Sequence, residues 1–168
     1  NLSYLYKAYD YARNHNIHVI LNCGDMIDGN FTRGNQTISN IDEQIERVIN
    51  NYPHDNYILN FICFGNHDYV SNEYGRDISM AISSHRQDLI SAGYGFSLIN
   101  IERDQLALYH PLNGISFKPI PNKLILEGHH HKMKVKIDRN NYFVNVPPLS
   151  DLCFGNQENP GMLEMELL

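Results

Sequence analysis

Apolar residues recur at helical spacing near the start of the chain, through Leu2, Leu5, Tyr6, Tyr9 and Ala12, and predict a helix over 2–15. The pattern then changes. Residues 17–23 (IHVILNC) form a short, nearly continuous apolar run, as in a strand covered on both faces. A polar, glycine-containing loop follows at 29–37. A second helix is expected over 39–52, burying Ile41, Ile45, Val48, Ile49 and Tyr52. Ser39 and Asp42 have the spacing of a capping box at its start, and Pro53 ends it. Residues 57–64 (YILNFICF) predict another buried strand, and 76–91 a further helix. Beyond these, short strands are expected at 98–101 and 105–109, around a polar turn at 102–104. A proline- and glycine-rich loop spans 111–122, and a strand 123–127. Residues 132–138 and 142–146 read as a hairpin, and 162–167 as a last strand. Helices alternate with strands first, and strands dominate later. The pattern predicts an α/β fold in a single domain over 1–168.

A chain of 168 residues is long enough to bury a real core, and 42% hydrophobic with 19% charged residues is a normal globular balance. The longest apolar runs are strand-length, far short of a membrane-spanning helix, so no membrane partner is expected. A formal charge of −6 argues against broad, charge-driven nucleic-acid binding, though not against a local basic groove. Lys132, Lys134 and Lys136 alternate with Met133, Val135 and Ile137, which puts the lysines on one solvated strand face. Cys23, Cys63 and Cys153 form no paired framework; the first two read as small buried thiols. An odd count of this kind fits a reducing, cytoplasmic location.

The chemistry lies where the apolar runs stop. Gly24-Asp25, Gly65-Asn66-His67-Asp68 and Gly128-His129-His130-His131 each follow a predicted strand, and His110 ends another. In open α/β sheets, ligands gather beyond the carboxyl ends of the strands. The glycines permit tight turns and close approach of backbone there. Carboxylate, amide and imidazole donors together suit divalent metals, and a metal pair can clamp a phosphate and acidify a water between them.

The order and spacing of these strings resemble the calcineurin-like metallophosphoesterase family, over nearly the whole chain. The resemblance implies a sandwich of two mixed sheets flanked by helices. It implies metal-dependent hydrolysis of a phosphoester by a metal-bound hydroxide, with two divalent ions (Mn, Fe, Zn or Ni). By that resemblance Asp25 bridges the two ions, Asn66, His110 and His129 complete the second site, and His131 belongs to the first. His67 faces the substrate and protonates the leaving group, and Asp68 holds its ring. The family normally opens with an Asp-x-His string on its first strand. The chain begins at Asn1 without it, so the first site is incomplete, and the first strand is expected to lie upstream.

Around these motifs, Asp28, Asn30 and Arg33 are candidates to line the cleft, His130 is a spacer between two ligands, and Tyr69 is exposed packing. His15, His18, His54 and His85 read as surface or partly buried histidines. The expected substrate is a phosphodiester, with nucleotides or nucleic acid among the candidates. A phosphomonoesterase or protein phosphatase of the same family is the alternative reaction. A metal-poor, non-catalytic scaffold is the alternative of another class.

Overall fold

The computed structural model describes residues 2–30, 38–70, 75, 77–101, 104–113, 117–118, 120–121, 123–138, 140–149 and 160–166. In chain order the elements are α1 (Leu2–Asn14), β1 (Val19–Asn22), α2 (Ile41–Asn51), β2 (Leu59–Phe64), α3 (Asn66–Val70), α4 (Ile78–Ser83), β3 (Leu89–Tyr94), β4 (Phe96–Ile101), β5 (Asp104–Tyr109), β6 (Leu124–Glu127), β7 (Lys134–Asp138) and β8 (Asn141–Asn145). β1, β2 and β3 form a parallel sheet in that order; the other five strands form a mixed sheet in the order β4-β5-β6-β8-β7. The α/β expectation therefore holds, with most predicted boundaries moved inward by a residue or two.

The parallel sheet is covered on both faces, as its apolar runs require. On one face, Ile62 and Phe64 of β2 pack with Tyr9 and Ala12 of α1, Ile45 of α2, and Ile78 and Ile82 of α4. On the other, Cys23 and Cys63 meet Leu106 and Leu108 of β5 and Leu126 of β6, which joins the two sheets. Both cysteines are buried and free. Cys153 and Arg33 lie outside the described residues.

Three expectations are corrected. The helix expected over 76–91 is only Ile78–Ser83, and Leu89–Tyr94 is a strand. Asp77 caps α4 by accepting from Met80 N, and the following LISAGY segment is drawn into the ladder beside β2, with Asn60 opposite Leu89. A parallel neighbour outweighs weak helical periodicity here. The cap of α2 is Asn40, accepting from Glu43 N, rather than Ser39 with Asp42. No strand is assigned among residues 162–166, where one was expected. That segment is tied back by the Gly161 N–H donating to Pro148 O (2.9 Å), not by a ladder.

Two buried polar groups lock the helices in place. Gln44 interrupts the apolar stripe of α2 yet is buried. Its Oε1 accepts from Asp28 N and Gly29 N, and its Nε2 donates to Gly29 O and Ile38 O. Arg86 donates to both oxygens of Asp88 and to the carbonyls of Ile49, Tyr52 and Pro53, closing the C-terminal end of α2. Burial pushes the Asp88 pKa up, but Arg86 outweighs it and the net shift is downward. A depressed folded pKa stabilises above the unfolded value and is lost as pH falls through the folded one. Arg86→Ala is therefore expected to cost about 3 kcal/mol in urea unfolding at neutral pH, and to flatten the loss of stability on acidification. Unchanged unfolding curves would show that the Arg86 contacts are idle.

Candidate metal centre

Four strand ends converge at one edge of the sandwich. β1 leads into Gly24-Asp25, β2 into Gly65-Asn66, β5 into His110 and β6 into Gly128-His129. The crossings between strand ends are hydrogen-bonded: Gly95 N to Phe64 O, His110 N to Gly95 O, and Gly128 N to Tyr109 O. His110, 1% exposed, stands at the centre. The motif glycines enclose it. A Cβ on Gly24 would come within 2.5 Å of His110 Nδ1, one on Gly65 would strike the Asp25 carboxylate and the His110 ring, and one on Gly128 would strike Cys23 O.

Asp25, His110 and His129 each bring a ligand atom within 4.8 Å of the others. The Asn66 amide completes the group. His110 Nε2 is 2.9 Å and His129 Nδ1 3.0 Å from Asn66 Oδ1, and His110 Nε2 is 3.3 Å from Asp25 Oδ2. These are the residues expected for the second metal site. His131 lies outside that group of atoms, but Asp25 and His67 both act on its charge.

The donor set fits a cation. His110 Nδ1 lies 2.6 Å from the Cys23 carbonyl, an acceptor, so Nδ1 carries the proton. Nε2 then faces two oxygens, a contact satisfied either by a second ring proton or by a cation placed among the three atoms. Burial pulls the His110 pKa down, yet Asp25 outweighs it and the pKa rises. Burial lowers the pKa values of His129 and His131, which favours the neutral imidazoles that metals bind. Burial also pushes the Asp25 pKa up, but His110 and then His67 more than reverse it, and the carboxylate stays ionised.

Backbone strain gathers at the same place. Asp25, His129 and His131 have φ of 58°, 77° and 53°, the left-handed region that side chains other than glycine avoid. Such residues persist where the surroundings hold them, typically at functional sites.

The expected role of Asp68 is corrected. Its carboxylate does not hold the His67 ring. Asp68 is fully buried and accepts from the backbone N–H groups of Met26, Ile27 and Gly65. It ties the loop after β1 to the start of α3. Burial first, then the Asp25 charge, pushes its pKa up to about 7 against those three amides. The His67 ring instead turns to Asp28: Nδ1 is 2.8 Å from Asp28 O and 3.8 Å from Asp28 Oδ1. The sequence places Asp28 in the cleft but does not show this role, because a contact to a main-chain oxygen has no residue signature. His15, His18, His54, His85, Tyr69 and the three lysines at 132, 134 and 136 are exposed, as expected, and Asn30, a candidate to line the cleft, is exposed too.

The fold and its site thus define a metallophosphoesterase-type sandwich. A family model described as calcineurin-like phosphoesterase matches residues 1–159, and the chain belongs to that family. Among solved structures, the chain is similar to a novel archaeal phosphodiesterase at 13% identity and a TM-score of 0.48, over 88% of this chain and 78% of that one. It is also similar to a single mutant of Vps29 from Entamoeba histolytica at 13% identity and a TM-score of 0.39, over 84% and 80%. No curated protein matches the chain by sequence.

Titration with Mn²⁺ is expected to fill the Asn66 site first, with one equivalent bound more tightly than any other. Asn66→Ala should remove that equivalent. Tight binding that survives Asn66→Ala but is lost in His131→Ala would reverse the assignment of the two sites.

Proposed function

We propose that this chain supplies the active site of a metal-dependent phosphodiesterase. The observation that carries the reading is the approach of His110 and His129 to Asn66 Oδ1, with Asp25 grouped with both histidines. Asn66, His110, His129 and Asp25 would hold one divalent ion, and Asp25 with His131 would offer a second, weaker place. When bound, such ions acidify water and neutralise phosphoryl charge. Manganese, iron, zinc and nickel all suit these donors.

The protein's own groups do the rest. His67 is half-buried beside the cluster, and its backbone N–H donates to Asp25 Oδ1 (3.1 Å). We assign it contact with the phosphoryl oxygens and proton delivery to the leaving oxygen, general-acid work for which imidazole side chains are the commonest choice. Asp28 orients its ring. Gln44 fixes Asp28 through the Asp28 N–H, so a buried amide on α2 reaches the reacting histidine through two contacts. Asp68 holds the same loop from the other side.

The preference for diesters rests on access. His129 and His130 are exposed and His131 half-buried, so the histidine wall is open on the side leading to β7, where a substrate can extend past the phosphorus. Nucleotides and nucleic acid are candidate diesters on this reading.

With Mn²⁺, bis-p-nitrophenyl phosphate is expected to turn over faster than p-nitrophenyl phosphate; faster monoester turnover would favour a phosphomonoesterase. His67→Ala should retain Mn²⁺ binding and lose about 10²–10⁴-fold in kcat. Absence of turnover on both substrates, in a protein that holds Mn²⁺ at the Asn66 site, would favour a scaffold role.

A further inference from the structure

The residue between the two histidine ligands at 129 and 131 is more than a spacer. The His130 N–H donates to Gly128 O (3.0 Å), closing a three-residue turn around His129. With φ of 77° at His129, this is the rare, strained form of the γ-turn. The turn lies beyond the strands, since β6 ends at Glu127 and β7 starts at Lys134, and only its first residue is tied to a neighbouring strand end, by the Gly128 N–H to Tyr109 O. The His130 side chain turns back onto the turn. Its Nε2 lies 3.2 Å from Glu127 Oε1, and its ring meets the His129 ring edge to face at 5.5 Å. Glu127 is the last residue of β6, and its side chain is 14% exposed. It is anchored on both sides, by register with Tyr109 and with Asn145.

We propose that Glu127 and His130 form a brace that holds the strained turn and presets His129 as a ligand. The pair acts through His129, so both are positioning residues. Glu127 supplies a fixed acceptor at the end of a central strand. His130 carries that fixity across the turn in two ways, by its hydrogen bond to Glu127 and by its ring against His129. Without the brace, His129 can relax from positive φ, and relaxation turns Nδ1 away from Asn66 Oδ1. A contact this exposed adds little to global stability. Its effect is on the orientation of one ligand, where loss of a supporting partner commonly costs 10–100-fold in metal affinity.

The inference rests on the reading of Asp25, Asn66, His110 and His129 as a metal site, and the test separates the two. Mn²⁺ affinity is measured by calorimetry on the wild type, His130→Ala, Glu127→Ala, the double variant and His130→Gln, each with its thermal midpoint. The single alanine variants are expected to bind Mn²⁺ about tenfold more weakly with thermal midpoints close to wild type. The double variant should be no weaker than either single one, because both remove the same brace. His130→Gln keeps a donor for Glu127 and should recover part of the affinity. Wild-type affinity in both single variants would overturn the brace while leaving the metal site standing. A wild type that binds no Mn²⁺ would overturn the site, and the brace with it.

Discussion

The structure turns on how closely four strand ends can approach the ring of His110. An imidazole at 1% exposure has to be walled in on every side, here by the Asn66, Asp25 and His129 side chains and by backbone that approaches closely at glycines. Gly24, Gly65 and Gly128 each leave open the space that a Cβ would take from His110, Asp25 or the Cys23 carbonyl. A methyl group at any of them would push one strand end away from the other three. The two sheets are joined below this point by Cys23, Cys63, Leu106, Leu108 and Leu126, so the spacing at the edge is inherited from the core. Packing density in that core thus becomes precision at the site.

The same crowding settles the proton. Because Cys23 O lies 2.6 Å from Nδ1, the hydrogen of a neutral His110 is committed there and the Nε2 lone pair faces Asn66 and Asp25. A carbonyl at the end of β1 therefore chooses which nitrogen of a residue at the end of β5 can bind a metal. This is how a histidine ligand is commonly oriented, through a partner on its other nitrogen. A main-chain partner cannot be lost by substitution at position 23, provided the strand keeps its place.

Most of the fold was legible because its signals were local. The runs 17–23 and 57–64 are apolar enough to need cover on both faces, and their ends mark the site. What escaped depended on partners distant in sequence. The 89–94 segment becomes a strand only because β2 offers it a ladder. Residues 162–166 have strand-like composition but gain no neighbour to pair with among the described residues. The ligand types at the centre could be read from the motifs. The roles of Asp68 and Asp28 could not, because backbone groups decide them: three amides claim Asp68, and a carbonyl is offered by Asp28.

Electrostatics explains why an acidic chain can serve an anionic substrate. The net charge of −6 is spread over the molecule, whereas the segment from His129 to Lys136 holds three histidines and three lysines and no acid. Of the carboxylates near the centre, Asp25 stays ionised, while Asp68 is pushed up to about 7 by burial and by Asp25 itself. Asp68 therefore does not add a full second negative charge beside Asp25 at neutral pH. The imidazoles at 129 and 131 are biased toward neutrality by burial. One carboxylate, neutral imidazoles and an amide leave a bound divalent ion with excess positive charge, and a phosphoryl group is the partner that charge attracts. Acidic groups farther than a Debye length of about 8 Å are largely screened by salt. Local donor chemistry, rather than the net charge of the chain, sets what the site can hold.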